Sequence, residues 1–161
     1  MEVGMGQWTK EHLLDAWQHY EAVVERCGKS NDWNDYADLF TEDGRYVDDV
    51  DPDRNRREEI RDWITGIYTN PVARAVRTFV TKWFIVDEER GWVIAEFDNI
   101  WDDPGNGQVF SFRNYTLMKY AGDYQWYFQE DQYNPQKRME AGMGWMQARQ
   151  AVKKSVKEIV S

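Results

Sequence analysis

The chain is poor in the residues that staple small proteins or bind metals. Among 161 residues there is one cysteine, Cys27, which excludes a disulfide framework and a cysteine-based zinc site. Histidine occurs only at His12 and His19, and the four prolines are scattered rather than gathered into a linker. No apolar run approaches the roughly 20 residues of a membrane span. The opening MEVGMGQWTKEH lacks the apolar core of a secretory signal. Positive charge is in deficit: 20 Lys and Arg stand against 29 Asp and Glu, and a nucleic-acid backbone would repel the resulting net charge of −9. These absences predict a cytoplasmic chain of one domain, 1–161, with no membrane, nucleic-acid, metal or cofactor partner.

What the sequence has in excess is aromatic surface. Aromatic residues make up 16%, including nine Trp and nine Tyr, on a background of 42% hydrophobic and 30% charged residues that is ordinary for a globular chain. Two uses of so many rings stay open. They fill a core, since each buries a large apolar area, or they wall a cavity for a flat, apolar ligand.

The apolar spacing divides the chain into helices first and strands later. Leu13, Leu14, Trp17, Tyr20, Val23 and Val24 recur at helical spacing, so a helix is predicted from Thr9, as N-cap, to about Arg26, with Gly28 as its stop. A short helix follows from Trp33 to Phe40, then a brief strand Arg45 to Asp48 after the breaker Thr41-Glu42-Asp43-Gly44. A third helix runs from about Arg57 to Tyr68. Four segments rich in β-branched and aromatic residues come next: Arg77 to Asp87, Gly91 to Asp102, Gln108 to Tyr120 and Tyr124 to Tyr133. Short turn signals between them predict an antiparallel meander. The result is an α+β fold, a curved antiparallel sheet wrapped around N-terminal helices, with its core over about 9–135. A further helix is expected over about 136–160, and its Met139, Met143 and Met146 could pack on the sheet, close a pocket or meet another subunit.

Several stretches resemble one superfamily. NDWNDYADLFTEDGRYVDDV resembles the short acidic-aromatic helix, Leu-Phe pair, acidic turn and strand of SnoaL-like and nuclear transport factor 2-like proteins, the cone fold of ketosteroid isomerase. RREEIRDWI resembles the Gly-x-Glu-x-Ile-Arg helix start of that group, with Arg56 where Gly is usual. VIAEFDNIWDDPGNG and YAGDYQWYFQEDQYNP resemble its meander, so the likeness spans about residues 12–135. The resemblance implies a cone-shaped α+β barrel that pairs as a homodimer. It also implies a cavity for a hydrophobic small molecule. In the isomerase, an Asp base works with an oxyanion hole of Tyr and protonated Asp. Its base position falls on Asp48 and its tyrosine on Tyr20; the second Asp would fall near Asn114 to Thr116, where this chain has no carboxylate. Both histidines lie on the first helix, which argues against the His–Asp elimination chemistry of other relatives.

Four residues are therefore catalytic candidates. Asp48 reads either as the proton carrier or as one more solvated acid in the run Asp48, Asp49, Asp51, Asp53, which also mimics a calcium loop but lacks its Gly and bidentate Glu. Tyr20 could steady an oxyanion or simply pack. Glu130, placed near Trp126 and Phe128, is a second acid or base if it points inward, and otherwise a cross-strand ion-pair partner of Arg113 or Lys119. Asn114 could assist Tyr20. The expected ligand wall is Trp17, Trp63, Trp83, Trp101, Trp126 and Phe112. These readings converge on a cofactor-independent acid–base enzyme, an isomerase, cyclase or lyase of a hydrophobic cyclic or aromatic compound. The alternative is a non-catalytic module that binds a small molecule or a protein.

Overall fold

Thr9 starts the first helix as its sequence predicts. Its hydroxyl accepts the His12 backbone N–H at 3.2 Å, and His12 Nδ1 accepts the Thr9 N–H in return, which closes a capping box at the head of α1 (Lys10–Ser30). The computed structural model describes residues 7–48 and 50–160; Asp49 of the acidic run lies outside the described residues. The helix passes through Gly28 and ends only where Asn31 turns left-handed, at φ 59°. Gly28 is there for close approach: a Cβ would stand 2.4 Å from the Arg77 carbonyl oxygen. Arg77 completes the joint by donating to the Gly28 and Lys29 carbonyls, at 3.2 and 2.6 Å.

After α1 come α2 (Asn34–Ala37), β1 (Phe40–Asp48), α3 (Arg57–Ile67), a 3-10 turn, and then β2 (Val76–Asp87), β3 (Trp92–Trp101), β4 (Ser111–Gly122), β5 (Gln125–Tyr133) and α4 (Pro135–Val160). The four later strands form the expected antiparallel meander. β1 is longer than expected and lies parallel to β5, so the sheet is mixed, in the order β1-β5-β4-β3-β2. The chain between β1 and β5 supplies the long crossover that a parallel pair requires. One-residue register shifts between β2 and β3, near Arg77 and Lys82, and between β4 and β5, near Tyr127, add twist and bend the sheet into a half-cone.

The concave face carries Val93, Ala95 and Phe97 of β3 and Met118 and Tyr120 of β4 against the α1 stripe Leu13, Trp17, Tyr20 and Val24. A second, smaller cluster packs Val76 and Trp101 against Trp145 of α4. Gly142 and Gly144 let α4 come close, since a Cβ on Gly144 would meet the Phe110 ring at 2.8 Å. The methionines Met139, Met143 and Met146 stay exposed beside this contact. Among the described residues no helix is long and apolar enough to cross a membrane.

Candidate functional site

The cone is not filled to its base. An inner chamber of about 110 Å3 lies between α1, α2, α3 and the sheet, walled by Trp33, Tyr36, Tyr46, Trp63, Tyr68 and Phe97. It opens past Tyr68, Phe79, Phe112, Tyr133 and Arg138 into an outer recess of about 510 Å3, which Trp101 and the α4 methionines Met139, Met143 and Met146 border. An apolar cavity of about 150 Å3 admits one benzene ring. The inner chamber therefore takes a small head group, and the recess takes the body of a larger ligand.

At the blind end stands Asp131 of β5. Tyr46 Oη donates to its Oδ2, while Thr116 Oγ1 and Gln129 Nε2 donate to Oδ1, the latter at 3.0 Å. Gln129 is itself held by the Tyr36 hydroxyl, which donates to Oε1 at 2.9 Å, and its Nε2 reaches Tyr20 Oη at 3.4 Å. Burial raises the Asp131 carboxyl above its ordinary value, and the bonds from Thr116, Tyr46 and Gln129 offset only part of that rise. Burial likewise pushes the phenols of Tyr20, Tyr36, Tyr46 and Tyr68 upward, so they keep their protons; Tyr36 and Tyr46 donate theirs to Gln129 and Asp131, while Tyr20 Oη accepts from Gln129. Among the described residues, two buried polar atoms of the chamber lining have no partner: Asn114 Oδ1 and Trp33 Nε1. Asn114 is 7% exposed and its Nδ2 is spent on Thr116 Oγ1 at 3.3 Å, so its free oxygen is an acceptor awaiting a donor.

The structure brings three of the four catalytic candidates to this chamber. Tyr20, Asp48 and Asn114 line it. Asp48, at the end of β1, is occupied locally: its Oδ1 accepts the backbone N–H groups of Val50 and Asp51, both at 2.8 Å. Glu130 is absent from the lining and accepts from Gln132 Nε2 instead, at 3.1 Å. Simple alternation from Trp126 would aim Glu130 inward. The bulge reverses that parity: Tyr120 pairs with Trp126 but Lys119 with Phe128, which leaves Tyr127 as an extra residue. Gln129, Asp131 and Tyr133 face in as a result. Their own alternation was visible in the sequence; the bulge was not.

The ring wall divides the same way. Trp63, Trp101 and Phe112 line the chambers. Trp17 and Trp126 are wholly buried in the main core and reach neither chamber. Trp83 sits on the convex face, 44% exposed, with its Nε1 donating to Glu96 at 2.8 Å. The rings that replace them are Trp33, Tyr36, Tyr46, Tyr68, Phe79 and Tyr133, and Trp33 stacks on Tyr68 at 4.2 Å. Among the described residues no group of three His, Cys, Asp or Glu side chains could hold a metal ion. His19 packs on Tyr124, whose hydroxyl donates to Asp15 at 2.6 Å.

No family model matches the sequence, and no curated protein matches it either. Solved structures do match. An NTF2-like protein from Anabaena variabilis superposes over 81% of this chain and 96% of its own, with TM-score 0.60 and 13% identity. The chain has the NTF2-like cone fold. A steroid delta-isomerase from Pseudomonas aeruginosa covers 93% of this chain and 98% of its own, with TM-score 0.58 and 10% identity. An LEH-like epoxide hydrolase from M. tuberculosis covers 86% and 94%, with TM-score 0.62 and 9% identity. At such identities the likeness is one of fold.

Proposed function

We propose that this chain is a cofactor-independent acid–base enzyme, an isomerase, cyclase or lyase acting on a hydrophobic cyclic or aromatic carbonyl compound, with Asp131 as its proton carrier. The observation behind the reading is a buried carboxyl group at the end of a ring-walled chamber, beside the unsatisfied oxygen of Asn114. Ionised Asp131 takes a proton from the carbon next to the substrate carbonyl. The electron pair moves onto the carbonyl oxygen, where the protonated phenol of Tyr20 stabilises it by hydrogen bonding, joined by Tyr46 once Asp131 holds the proton and the Tyr46 hydroxyl turns away from it. Asp131 then returns the proton elsewhere on the same molecule, or to a departing hydroxyl. Burial raises its affinity for that proton, which suits exchange nearer neutral pH.

The test pairs Asp131→Asn with Asp48→Asn on a panel of cyclic enones and aromatic diketones, followed by ultraviolet absorbance. A positioned base contributes roughly 10²–10⁴-fold, so Asp131→Asn loses turnover by about that factor while Asp48→Asn, which can still accept at the turn, keeps most of it. Equal turnover in wild type and Asp131→Asn overturns the assignment. A binding module is the second reading, favoured by the three donors already spent on Asp131. In that case the panel raises the melting temperature without being converted. The expected homodimer has a candidate face in the exposed convex side chains Val80, Trp83, Ile85 and Ile94.

A further inference from the structure

Arg138 is placed differently from the other described arginines, because it lines both chambers. Arg26, Arg45, Arg54, Arg56, Arg61 and Arg90 each meet a carboxylate within 4 Å, as expected where acids outnumber bases. Among the described residues no carboxylate pairs with Arg138, as none pairs with Arg57, Arg74, Arg77, Arg113 or Arg149, but Arg138 alone of these is partly buried at the chambers. No other described residue lining either chamber is a Lys or Arg. Its Nη1 donates to Tyr133 Oη at 2.9 Å, and its guanidinium lies 5.3 Å from the Tyr133 ring centre and 5.7 Å from that of Phe112. Those contacts fix the plane of the fork and leave most of its N–H groups unspent.

Neither described carboxylate of the inner chamber, Asp48 or Asp131, forms an ion pair with Arg138 within 4 Å. Asp48 is bonded to backbone N–H groups, and Asp131 to Tyr46, Thr116 and Gln129. The surroundings add to the positive potential. Arg138 lies just inside the start of the 26-residue α4, whose first turn has no acid, so the positive end of the helix dipole points the same way.

We infer that the ligand is an apolar ring compound bearing an anionic oxygen group, a carboxylate in the simplest case, which Arg138 receives at the junction of the two chambers while the ring lies in the outer recess. This inference rests on the small-molecule reading above and makes it narrower: the substrate class becomes cyclic or aromatic carbonyl compounds that also carry an anionic oxygen group. In a chain of net charge −9, long-range fields repel such an anion. A guanidinium with no ion-pair partner among the described residues then decides which anions stay. A charge-assisted bidentate contact separates a carboxylate from its neutral amide by roughly tenfold or more.

The probes are 4-hydroxybenzoate and 6-hydroxy-2-naphthoate, each compared with its primary amide, titrated by calorimetry against wild type, Arg138→Met and Arg138→Lys. The wild type is expected to bind each acid about tenfold more tightly than its amide. Arg138→Met brings that ratio near one by weakening the acids alone, and Arg138→Lys, a point charge without the fork, gives an intermediate ratio. If Arg138→Met does not fold, the fall in ratio for Arg138→Lys carries the test. Acids and amides that bind equally well to wild type, or a ratio that survives in the variants, overturn the anion assignment while leaving the cavity reading intact. If neither acids nor amides bind, the small-molecule reading falls and this inference with it.

Discussion

Replacing Asp131 by Asn removes a titrating proton from the centre of the cone while keeping the shape of the side chain. Because burial holds the native carboxyl above its ordinary value, the folded protein binds this proton more tightly than the unfolded chain does. The stabilising effect of that proton is complete below the unfolded value near 3.8, and it is lost as pH rises through the native value. Each factor of ten by which burial weakens the acid contributes roughly 1.4 kcal/mol to that loss. For a chain of this size, 1 kcal/mol moves the melting temperature by about 2–4 °C. Asp131→Asn lacks the effect, so its melting temperature should climb relative to wild type between pH 4 and pH 8. Thermal melts of both proteins at half-unit pH steps check this. A difference that stays flat with pH, or falls, refutes the claim that burial dominates this group.

Asp131→Ala provides the contrast. It strands the donors of Tyr46, Thr116 and Gln129, which otherwise converge on the carboxylate. A buried donor without a partner costs about 1–3 kcal/mol. Two of the three are hydroxyls that can rotate toward the chamber, so a loss of roughly 3–5 kcal/mol is expected. Asparagine keeps an acceptor for Thr116 and Gln129, and the Tyr46 hydroxyl can reverse to accept its amide. The Asn variant should therefore melt well above the Ala variant at every pH.

Tyr46→Phe removes one donor from the charged form of Asp131, so the carboxyl should rise further and the acid limb of the pH–rate profile should move to higher pH, at a stability cost of about 1 kcal/mol. An unmoved limb separates Asp131 from the reaction. Gly28→Ala forces a methyl against the Arg77 carbonyl at 2.4 Å, so despite its better helix propensity it should destabilise by about 1–3 kcal/mol in urea melts.

The order of elements was legible because hydrophobic period and turn residues agree along most of the chain. Glu88 to Gly91 separates β2 from β3 as the turn signals predict, whereas Ala121 and Gly122 extend β4 and the turn falls on Asp123 and Tyr124. The misreadings have particular physical causes. Gly28 near a helix end reads as a stop, yet its role is to admit the β2 backbone, a tertiary contact with no local signal. The polar start of β1 reads as a breaker, yet Phe40 pairs with Trp126 across a parallel edge. Trp83 and Glu130 fail together. Counting from Phe79, alternation turns Trp83 inward, but Lys82 is an extra residue between the pairs Thr81–Phe97 and Trp83–Glu96. Phe84 takes the inner place beside Trp17, with ring centres 5.5 Å apart. Period-2 reasoning is sound only between bulges, and this sheet needs its bulges to curve.

The same curvature explains why two neighbouring carboxylates are suited to different work. Asp48 and Asp131 stand opposite one another on the parallel pair β1 and β5. The charge of Asp48 is held by the N–H groups of Val50 and Asp51, donors that the backbone fixes in direction and that cannot become acceptors. Asp131 is held by two hydroxyls and an amide. Each hydroxyl can turn its proton elsewhere and present a lone pair, so either charge state of Asp131 can be accommodated without moving the chain. A proton carrier must cycle between both states at little cost on every turnover. Sequence resemblance favoured the acid at the end of β1, but the reversible partners surround the one on β5. The bulge at Tyr127 is what turns that strand to present it.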